Sequence, residues 1–122
     1  MSNKSLGRHG ESLARQYLQT QGYQILEENF RNKIGEIDLI ARDGRTVCFV
    51  EVKTRQSLRL GQPYEAVTPW KIRKLSRMAA SYLKYKFYSL EIRSRFDVVS
   101  ILEDIEGGFE IQHIKNAFDA IV

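Results

Sequence analysis

The sequence has few of the residues that build disulfides, zinc sites or membrane spans. Cys48 is the only cysteine, which excludes an intrachain disulfide, a thiolate zinc cluster and a paired-cysteine redox centre. The histidines His9 and His113 are far apart in sequence and show no ligand spacing. No stretch approaches the roughly 20 apolar residues that a membrane-spanning helix requires. Residues 1–16 contain no apolar core of signal-peptide length, so we expect a cytoplasmic protein.

The composition is that of a globular protein with a basic segment. The 122 residues are 43% hydrophobic and 28% charged, which suits one domain over 1–122 with one core. The net charge of +4 favours an anionic partner. From Ala66 to Leu90 there is no Asp or Glu, although six lysines and arginines lie there. The positive charge is therefore concentrated in one part of the chain.

Helical and strand patterns alternate along the chain. Apolar spacing predicts a first helix over about Ser5–Gln19, and Thr68 with Pro69 begins a second that runs to about Lys86. Strands are predicted over 23–29, 34–42, 46–54, 95–102 and 109–114. The order of helix, three strands, helix and two strands indicates an α/β fold with a mixed five-stranded sheet flanked by helices.

The second and third strands form the clearest hairpin. They are separated by Arg42-Asp43-Gly44-Arg45, and Asp-Gly between apolar runs is a strong hairpin signal. Strand alternation puts Glu51 and Lys53 on one face. A two-residue loop of Asp43 and Gly44 makes Asp38 the diagonal neighbour of Glu51. A four-residue loop puts the two directly opposite, and a three-residue loop separates them.

Carboxylates that share one face repel each other unless a proton or a metal ion lies between them. Oxygen ligands without His or Cys suit Mg²⁺ or Mn²⁺, and such an ion neutralises charge that develops on a phosphodiester oxygen. Lys53 is suited to orient a water molecule or to stabilise the transition state. Spacing alone gives equal support to this hydrolytic site and to a cluster of charges at a strand end without a function.

Three segments together resemble a known family. They are Gly35-Glu-Ile-Asp-Leu-Ile-Ala41, Phe49-Val-Glu-Val-Lys-Thr-Arg55 and Arg95-Phe-Asp-Val-Val99. The combination resembles the YraN-like proteins, a bacterial family similar to archaeal Holliday junction resolvases and to PD-(D/E)xK nucleases. One departure is Ile37, which stands where the nuclease pattern has proline. The resemblance implies a restriction-endonuclease-like (PD-(D/E)xK) core.

The resemblance also implies an activity, that of a Mg²⁺- or Mn²⁺-dependent endonuclease on DNA, with branched DNA as one substrate. The implied catalytic set is Glu11, Asp38, Glu51 and Lys53. Within it, Asp38 and Glu51 would be the metal ligands, with help from the Val52 carbonyl. The alternative for Glu11 is a helix-surface acid paired with Arg8 or Arg15. A junction resolvase needs two sites related by two-fold symmetry, so a homodimer is a further expectation.

Basic residues supply the expected nucleic-acid contacts. On the second helix, Lys71, Lys74 and Arg77 lie about one turn apart, and the alternative for them is a solvated helix face. After Lys53, Arg55 and Arg59 are suited to meet a phosphate backbone that approaches the site. Gln62 would assist at the site if its loop folds back.

Other residues have structural explanations. The aromatic residues Tyr82, Tyr85, Phe87 and Tyr88 could stack on bases, although core or helix-end packing is favoured at this spacing. For Asp97, within an apolar strand, a salt bridge with Arg95 is favoured over support of the site. Two further functions stay open beside the nuclease: a nucleic-acid-binding module with little or no catalysis, and a protein-interaction domain with a basic face.

Overall fold

The chain forms a five-stranded sheet with one helix against each face, as described by a computed structural model. The structure describes residues 3–56, 67–104 and 106–121, with side chains from residue 7 onward. Arg59 and Gln62 lie outside the described residues, so the expectations for them stay predictions. Within the described residues, no helix is both long enough and apolar enough to cross a membrane.

All seven predicted elements are present. They are α1 (Asn3–Thr20), β1 (Gln24–Arg31), β2 (Glu36–Asp43), β3 (Thr46–Arg55), α2 (Pro69–Phe87), β4 (Ser94–Glu103) and β5 (Phe109–Phe118). The predicted start of α2 is confirmed, because the Thr68 side-chain oxygen accepts a hydrogen bond from the Lys71 backbone N–H at 3.2 Å. The prediction for β5 ended too early, at residue 114, whereas the strand continues to Phe118.

The strands follow one another across the sheet in chain order, β1 to β5. Every neighbouring pair is antiparallel except β3 and β4, which are parallel. A parallel pair needs a crossover connection, and α2 lies in that crossover. The prediction of a mixed sheet between helices is therefore confirmed.

The central strand β3 contributes to both hydrophobic layers. On one face, Phe49 packs with Leu75, Met78 and Tyr82 of α2. On the other face, Val50 and Cys48 pack in the layer that contains Ala14 and Leu18 of α1. Cys48 is a fully buried core residue, as the sequence indicated. Because both faces of β3 are covered, polar side chains emerge only near its end.

The β2–β3 register is the one that we expected from a four-residue loop, with Asp38 opposite Glu51, but the loop itself has two residues, Gly44 and Arg45. Asp43 pairs with Thr46, and the pairing continues to Leu39 with Val50. The alternative loop of Asp43 and Gly44 alone is wrong, because Asp43 belongs to the ladder and its carboxylate is held 3.2 Å from the Arg95 guanidinium. Gly44 takes the positive φ of 59° that the turn requires. One step beyond Leu39 and Val50, Asp38 faces Glu51.

Candidate metal centre

Asp38 lies where β2 and β3 separate. The paired residues end at Leu39 and Val50, and the next free donor of β3, the Val52 backbone N–H, donates to Asp38 Oδ2 at 2.8 Å. A side-chain oxygen thus replaces the missing backbone acceptor. This bond uses Oδ2 of the carboxylate, which lies in the gap between the strands.

Glu51 is a buried carboxylate with few partners. The residue is 6% exposed, and within the described residues its Oε2 atom accepts no hydrogen bond. Burial first, and then the nearby Asp38 carboxylate, raise the pKa of Glu51 to about 8. The nearest cation among the described residues is Lys71, whose Nζ lies 3.5 Å from Oε2. Glu51 therefore needs a proton or a closer cation to compensate its charge.

Two lysines stand beside these carboxylates and differ in their proton affinity. Burial, and then the neighbouring Lys71 ammonium, lower the pKa of Lys53 to about 8. Burial also lowers the pKa of Lys71, but its contact with Lys53 and the Glu51 charge outweigh burial and raise it above its ordinary value. Lys71 therefore remains charged, whereas Lys53 can exchange a proton close to neutral pH.

Glu11 is near this site but opens to a different surface. In the amide orientation that matches donors with acceptors, the Asn29 side chain donates to Glu11 Oε2 at 3.2 Å and to Glu36 Oε1 at 3.0 Å. Burial, followed by the Asp38 and Glu36 charges, raises the pKa of Glu11. Glu11 lines a cavity of about 210 Å³ that contains neither Asp38 nor Glu51. Glu11 is thus close enough to Asp38 for the two charges to interact, and it lines a neighbouring cavity.

The ion pairs that the alternative for Glu11 would require are not found within the part of the chain that the structure describes. Arg15 pairs with Glu28 at 3.0 Å, and neither Arg8 nor Arg15 forms an ion pair with Glu11. Glu36 pairs with Arg31 at 3.2 Å and is exposed. Glu36 is thus an ordinary exposed acid at the end of a hairpin strand, and it also borders the site.

A cavity of about 360 Å³ connects the carboxylates with α2, and we call it the carboxylate cavity. The sheet supplies Asp38 and Glu51, and the first two turns of α2 supply Trp70, Lys71 and Lys74. Sequence reasoning missed Trp70, the only tryptophan of the chain. The feature that could have indicated Trp70 is its position directly after Pro69, at the start of a helix that contains no Asp or Glu.

The predicted basic stripe of α2 divides between two surfaces. Lys71 and Lys74 line the carboxylate cavity, whereas Arg77 lines a separate apolar groove of about 460 Å³ together with Arg73. The expectation that Lys71, Lys74 and Arg77 contact nucleic acid stays a prediction, and only the first two line the carboxylate cavity. Steps of three residues turn the helix by less than a full 3.6-residue turn, so a row of such steps drifts around it.

Arg55 ends β3, two residues beyond Lys53. Its Nε atom is buried and has no hydrogen-bond partner within the described residues.

Asp97 is bonded to the Arg95 guanidinium at 3.0 Å, so the predicted salt bridge is confirmed. Of the four aromatic residues in and after the last turns of α2, Tyr82 is fully buried, whereas Tyr85 is 70% and Tyr88 91% exposed.

The donor set fits a hard divalent cation. Asp38 and Glu51 offer carboxylate oxygens, and the buried Glu51 Oε2 is without a hydrogen-bond donor in the described residues. Over 7–56, 67–104 and 106–121, no three side chains of His, Cys, Asp or Glu group closely enough to hold an ion. From the described residues the ligands would be two carboxylates, with water at other positions, as is usual for Mg²⁺.

Comparisons with known proteins place the chain in a family. The profile described as "Uncharacterised protein family UPF0102" matches residues 10–101. A UPF0102 protein of Geotalea uraniireducens is 50% identical over 117 residues, which cover 96% of this chain and 91% of that protein. A UPF0102 protein of Syntrophomonas wolfei is 52% identical over 118 residues, 95% of this chain and 99% of the relative. The resemblance to YraN-like proteins is confirmed, and the chain belongs to the family UPF0102.

Proposed function

We propose that this chain is a Mg²⁺- or Mn²⁺-dependent endonuclease that hydrolyses DNA phosphodiesters on a PD-(D/E)xK-like fold. One observation carries the proposal: a buried carboxylate, Glu51, without a hydrogen-bond donor at Oε2 within the described residues, faces Asp38 beside two lysines. An uncompensated buried charge costs free energy, so a chain retains one where a ligand compensates it.

Asp38 and Glu51 are the proposed metal ligands. When bound, a divalent cation supplies a Lewis acid for a phosphodiester oxygen and promotes ionisation of the attacking water. Lys53, with its pKa lowered to about 8, is suited to take a proton from that water. Lys71 remains charged and is suited to bind the phosphate, which would exchange its present contact with Glu51 for one with the substrate.

The architecture supports the nuclease-like fold. A mixed sheet with the single parallel pair β3–β4 carries the acid and the lysine on the same strand, two residues apart, and Asp38 on the adjacent strand. Glu11 is proposed to act through its charge next to Asp38 rather than as a ligand. Arg55 is proposed to hold the phosphate backbone. For four-way DNA the proposal includes a homodimer, because such a substrate has two-fold symmetry.

A catalytically weak nucleic-acid-binding module is the second candidate. The observation in its favour is the Lys71 ammonium, which lies 3.5 Å from Glu51 Oε2 and already supplies a positive charge to the site. In such a module Lys71 would substitute for a metal ion permanently. Binding would then be independent of divalent cations and would weaken with added salt.

The test is cleavage of duplex, single-stranded, flapped and four-way DNA with Mg²⁺ and with Mn²⁺. We expect Lys53→Met to lower the rate by about 10²–10⁴-fold, the range that acid–base catalysis contributes. We expect Glu51→Gln to lose metal-dependent cleavage, because it removes a metal ligand. For Asp38 the suitable change is Asp38→Asn, because asparagine keeps an oxygen to accept the Val52 N–H. Matched controls are Glu110→Gln and Lys84→Met, which change exposed residues far from the cavity in sequence.

Binding of these DNAs without any cleavage, in the presence of either metal, would contradict the nuclease and favour the binding module. Equal losses of activity in the controls and in the site variants would also contradict the assignment of the site. Circular dichroism of each variant verifies that the fold is intact before the rates are compared.

A further inference from the structure

The first turn of α2 presents a tryptophan to solvent beside the carboxylate cavity. Trp70 is 65% exposed and lines the cavity together with Asp38, Glu51, Lys71 and Lys74. A tryptophan side chain carries a large apolar surface and is highly buried on average in folded proteins. An exposed one at the entrance of a charged cavity therefore points to a ligand that covers its ring.

The backbone under this ring is held in place. The Lys71 N–H donates to the Thr68 side-chain oxygen at 3.2 Å, and the Ile72 N–H donates to the Thr68 carbonyl at 2.9 Å. Pro69 occupies the first helical position with a restricted φ. Trp70 thus projects from a capped helix start, so little backbone entropy is lost when a ligand covers it.

A lysine occupies one side of the ring. The Lys74 ammonium lies 4.6 Å from the ring centroid, within cation–π range. The stem of Lys74 also passes close to Gly35, where an added Cβ would lie 3.6 Å from Lys74 Cε. The side chain of Lys74 is therefore enclosed between the β1–β2 connection and the indole. At 65% exposure, most of the Trp70 surface remains open to a second planar group.

The surroundings specify the chemistry of that group. A flat aromatic surface next to two ammonium groups, Lys71 and Lys74, suits a planar base attached to an anionic phosphate. The cavity volume of about 360 Å³ lies within the range of about 300–1,000 Å³ typical of small-ligand sites. Bases inside a duplex are already stacked on each other and cannot cover the ring without leaving the stack.

We propose that Trp70 stacks on an unpaired nucleobase next to the phosphodiester held at Asp38 and Glu51. The substrate class is then DNA with an unpaired nucleotide at the cutting position: a single strand, a gap or a flap. This inference rests on the proposed nuclease function and narrows it. Trp70 is a specificity-determining residue, and it takes no part in the bond-breaking step.

Because Trp70 is the only tryptophan, its fluorescence reports on this position alone. We expect a single-stranded oligonucleotide and a gapped duplex to quench the emission in EDTA, and a blunt duplex of equal length to leave it nearly unchanged. Binding of the same DNAs with a fluorescent label, followed by anisotropy, gives a second readout. In it we expect Trp70→Ala to weaken gapped-duplex binding roughly tenfold, the effect of losing one base–aromatic stack.

Two further variants separate stacking from a loss of folding. We expect Trp70→Phe to retain most of the affinity for gapped DNA, because a smaller ring still stacks. Tyr85→Ala removes an equally exposed aromatic residue of the same helix that does not line the cavity, and we expect it to bind as the parent does. Equal quenching by blunt and gapped duplex would overturn the inference, as would unchanged gapped-duplex affinity in Trp70→Ala.

The readouts distinguish this inference from the nuclease proposal. We expect Glu51→Gln to lose cleavage and to retain quenching of Trp70 by gapped DNA. If gapped DNA quenches Trp70 of the parent protein but is not cleaved, the nuclease function is contradicted and the stacking role of Trp70 stands. If Trp70→Ala cleaves gapped DNA as fast as the parent does, the stacking role of Trp70 is contradicted and the nuclease proposal stands.

Discussion

Asp38 and Glu51 face each other, yet their surroundings assign them different tasks. Asp38 accepts the Val52 N–H and thereby completes the hydrogen bonding of a strand that has lost its neighbour. Glu51 has only the 3.5 Å contact with Lys71 at its Oε2 atom among the described residues. Since an unbonded buried charge is destabilising, we expect Glu51 to lower the stability of the protein when no metal is bound.

This expectation has a pH dependence. The pKa of Glu51 is raised from 4.5 to about 8 in the folded chain, by burial and then by Asp38. Between these pH values the folded chain binds more protons than the unfolded chain, so stability is full below 4.5 and is lost as the pH rises toward 8. In EDTA we therefore expect Glu51→Gln to be more stable than the parent at pH 8, by on the order of 2 kcal/mol.

Thermal melts of parent and variant across this pH range measure the effect. The exposed Glu110→Gln serves as the control, and we expect it to follow the parent at every pH. A stability gain in Glu51→Gln that is the same at low and high pH would contradict the argument. Such a result would mean that Glu51 keeps its charge, or its proton, throughout.

At the scale of elements, one close contact determines how α1 approaches the sheet. Gly10 of α1 lies against Thr54, two residues beyond Val52 on β3. A Cβ atom at Gly10 would overlap Thr54 Oγ1 and lie 3.1 Å from its Cγ2 atom. The absence of a side chain therefore lets the helix pack on the end of β3 that carries the candidate site.

We expect Gly10→Ala to destabilise the protein by about 1–3 kcal/mol, the usual cost of overpacking. The cause is the threonine side chain, so Thr54→Ala should recover most of this loss in the double variant. Urea denaturation of the two single variants and of the double variant gives the coupling free energy. A double variant whose loss equals the sum of the two single losses would contradict a direct contact.

Helix α2 presents its basic residues to two different surfaces. Residues 70, 71 and 74 face the carboxylate cavity, and residues 73 and 77 face the apolar groove. The basic residues follow one another along the sequence of the helix, but they line two separate cavities. For the site, this means that only part of the basic segment is positioned to meet a phosphate next to Asp38 and Glu51.

At the scale of the whole molecule, a buried carboxylate connects distant parts of the chain. Asp97 is fully buried, and it is bonded to Arg95 at 3.0 Å, His113 at 2.8 Å and the Asn116 N–H at 2.9 Å. Arg95 continues to the Tyr23 hydroxyl at 2.7 Å. Although burial raises the pKa of Asp97, the His113, Asn116 and Arg95 donors outweigh burial and lower it. The network joins β4, β5 and the chain segment after α1.

Removing this carboxylate leaves the Arg95 charge without its partner inside the protein. We expect Asp97→Ala to lower the free energy of unfolding by about 3–5 kcal/mol, as for other broken buried pairs. Urea denaturation at neutral pH measures the loss. Asp119→Ala, at an exposed position, is the control, and we expect it to be close to neutral. A loss below about 1 kcal/mol would mean that Asp97 is not a main fold-stabilising contact.

The sequence by itself determined the elements and named the acids of the candidate site. Apolar periodicity, the Thr68–Pro69 helix start and the Asp-Gly turn depend on neighbouring residues, so all seven elements and the mixed sheet could be predicted from them. The motif residues Asp38, Glu51 and Lys53 could be named for the same reason. Loop length was left open, since several registers satisfy the same alternation.

Only the tertiary structure decided which residues share one cavity. Three features depend on how α1 and α2 lie across the sheet: the contact of Lys71 with Glu51, the place of Trp70 in the cavity lining and the position of Glu11 in a neighbouring cavity. Helix orientation follows from packing over many residues that are distant in sequence, so no local pattern specifies it. Local rules determined the strand that holds the carboxylates, and packing decided their neighbours.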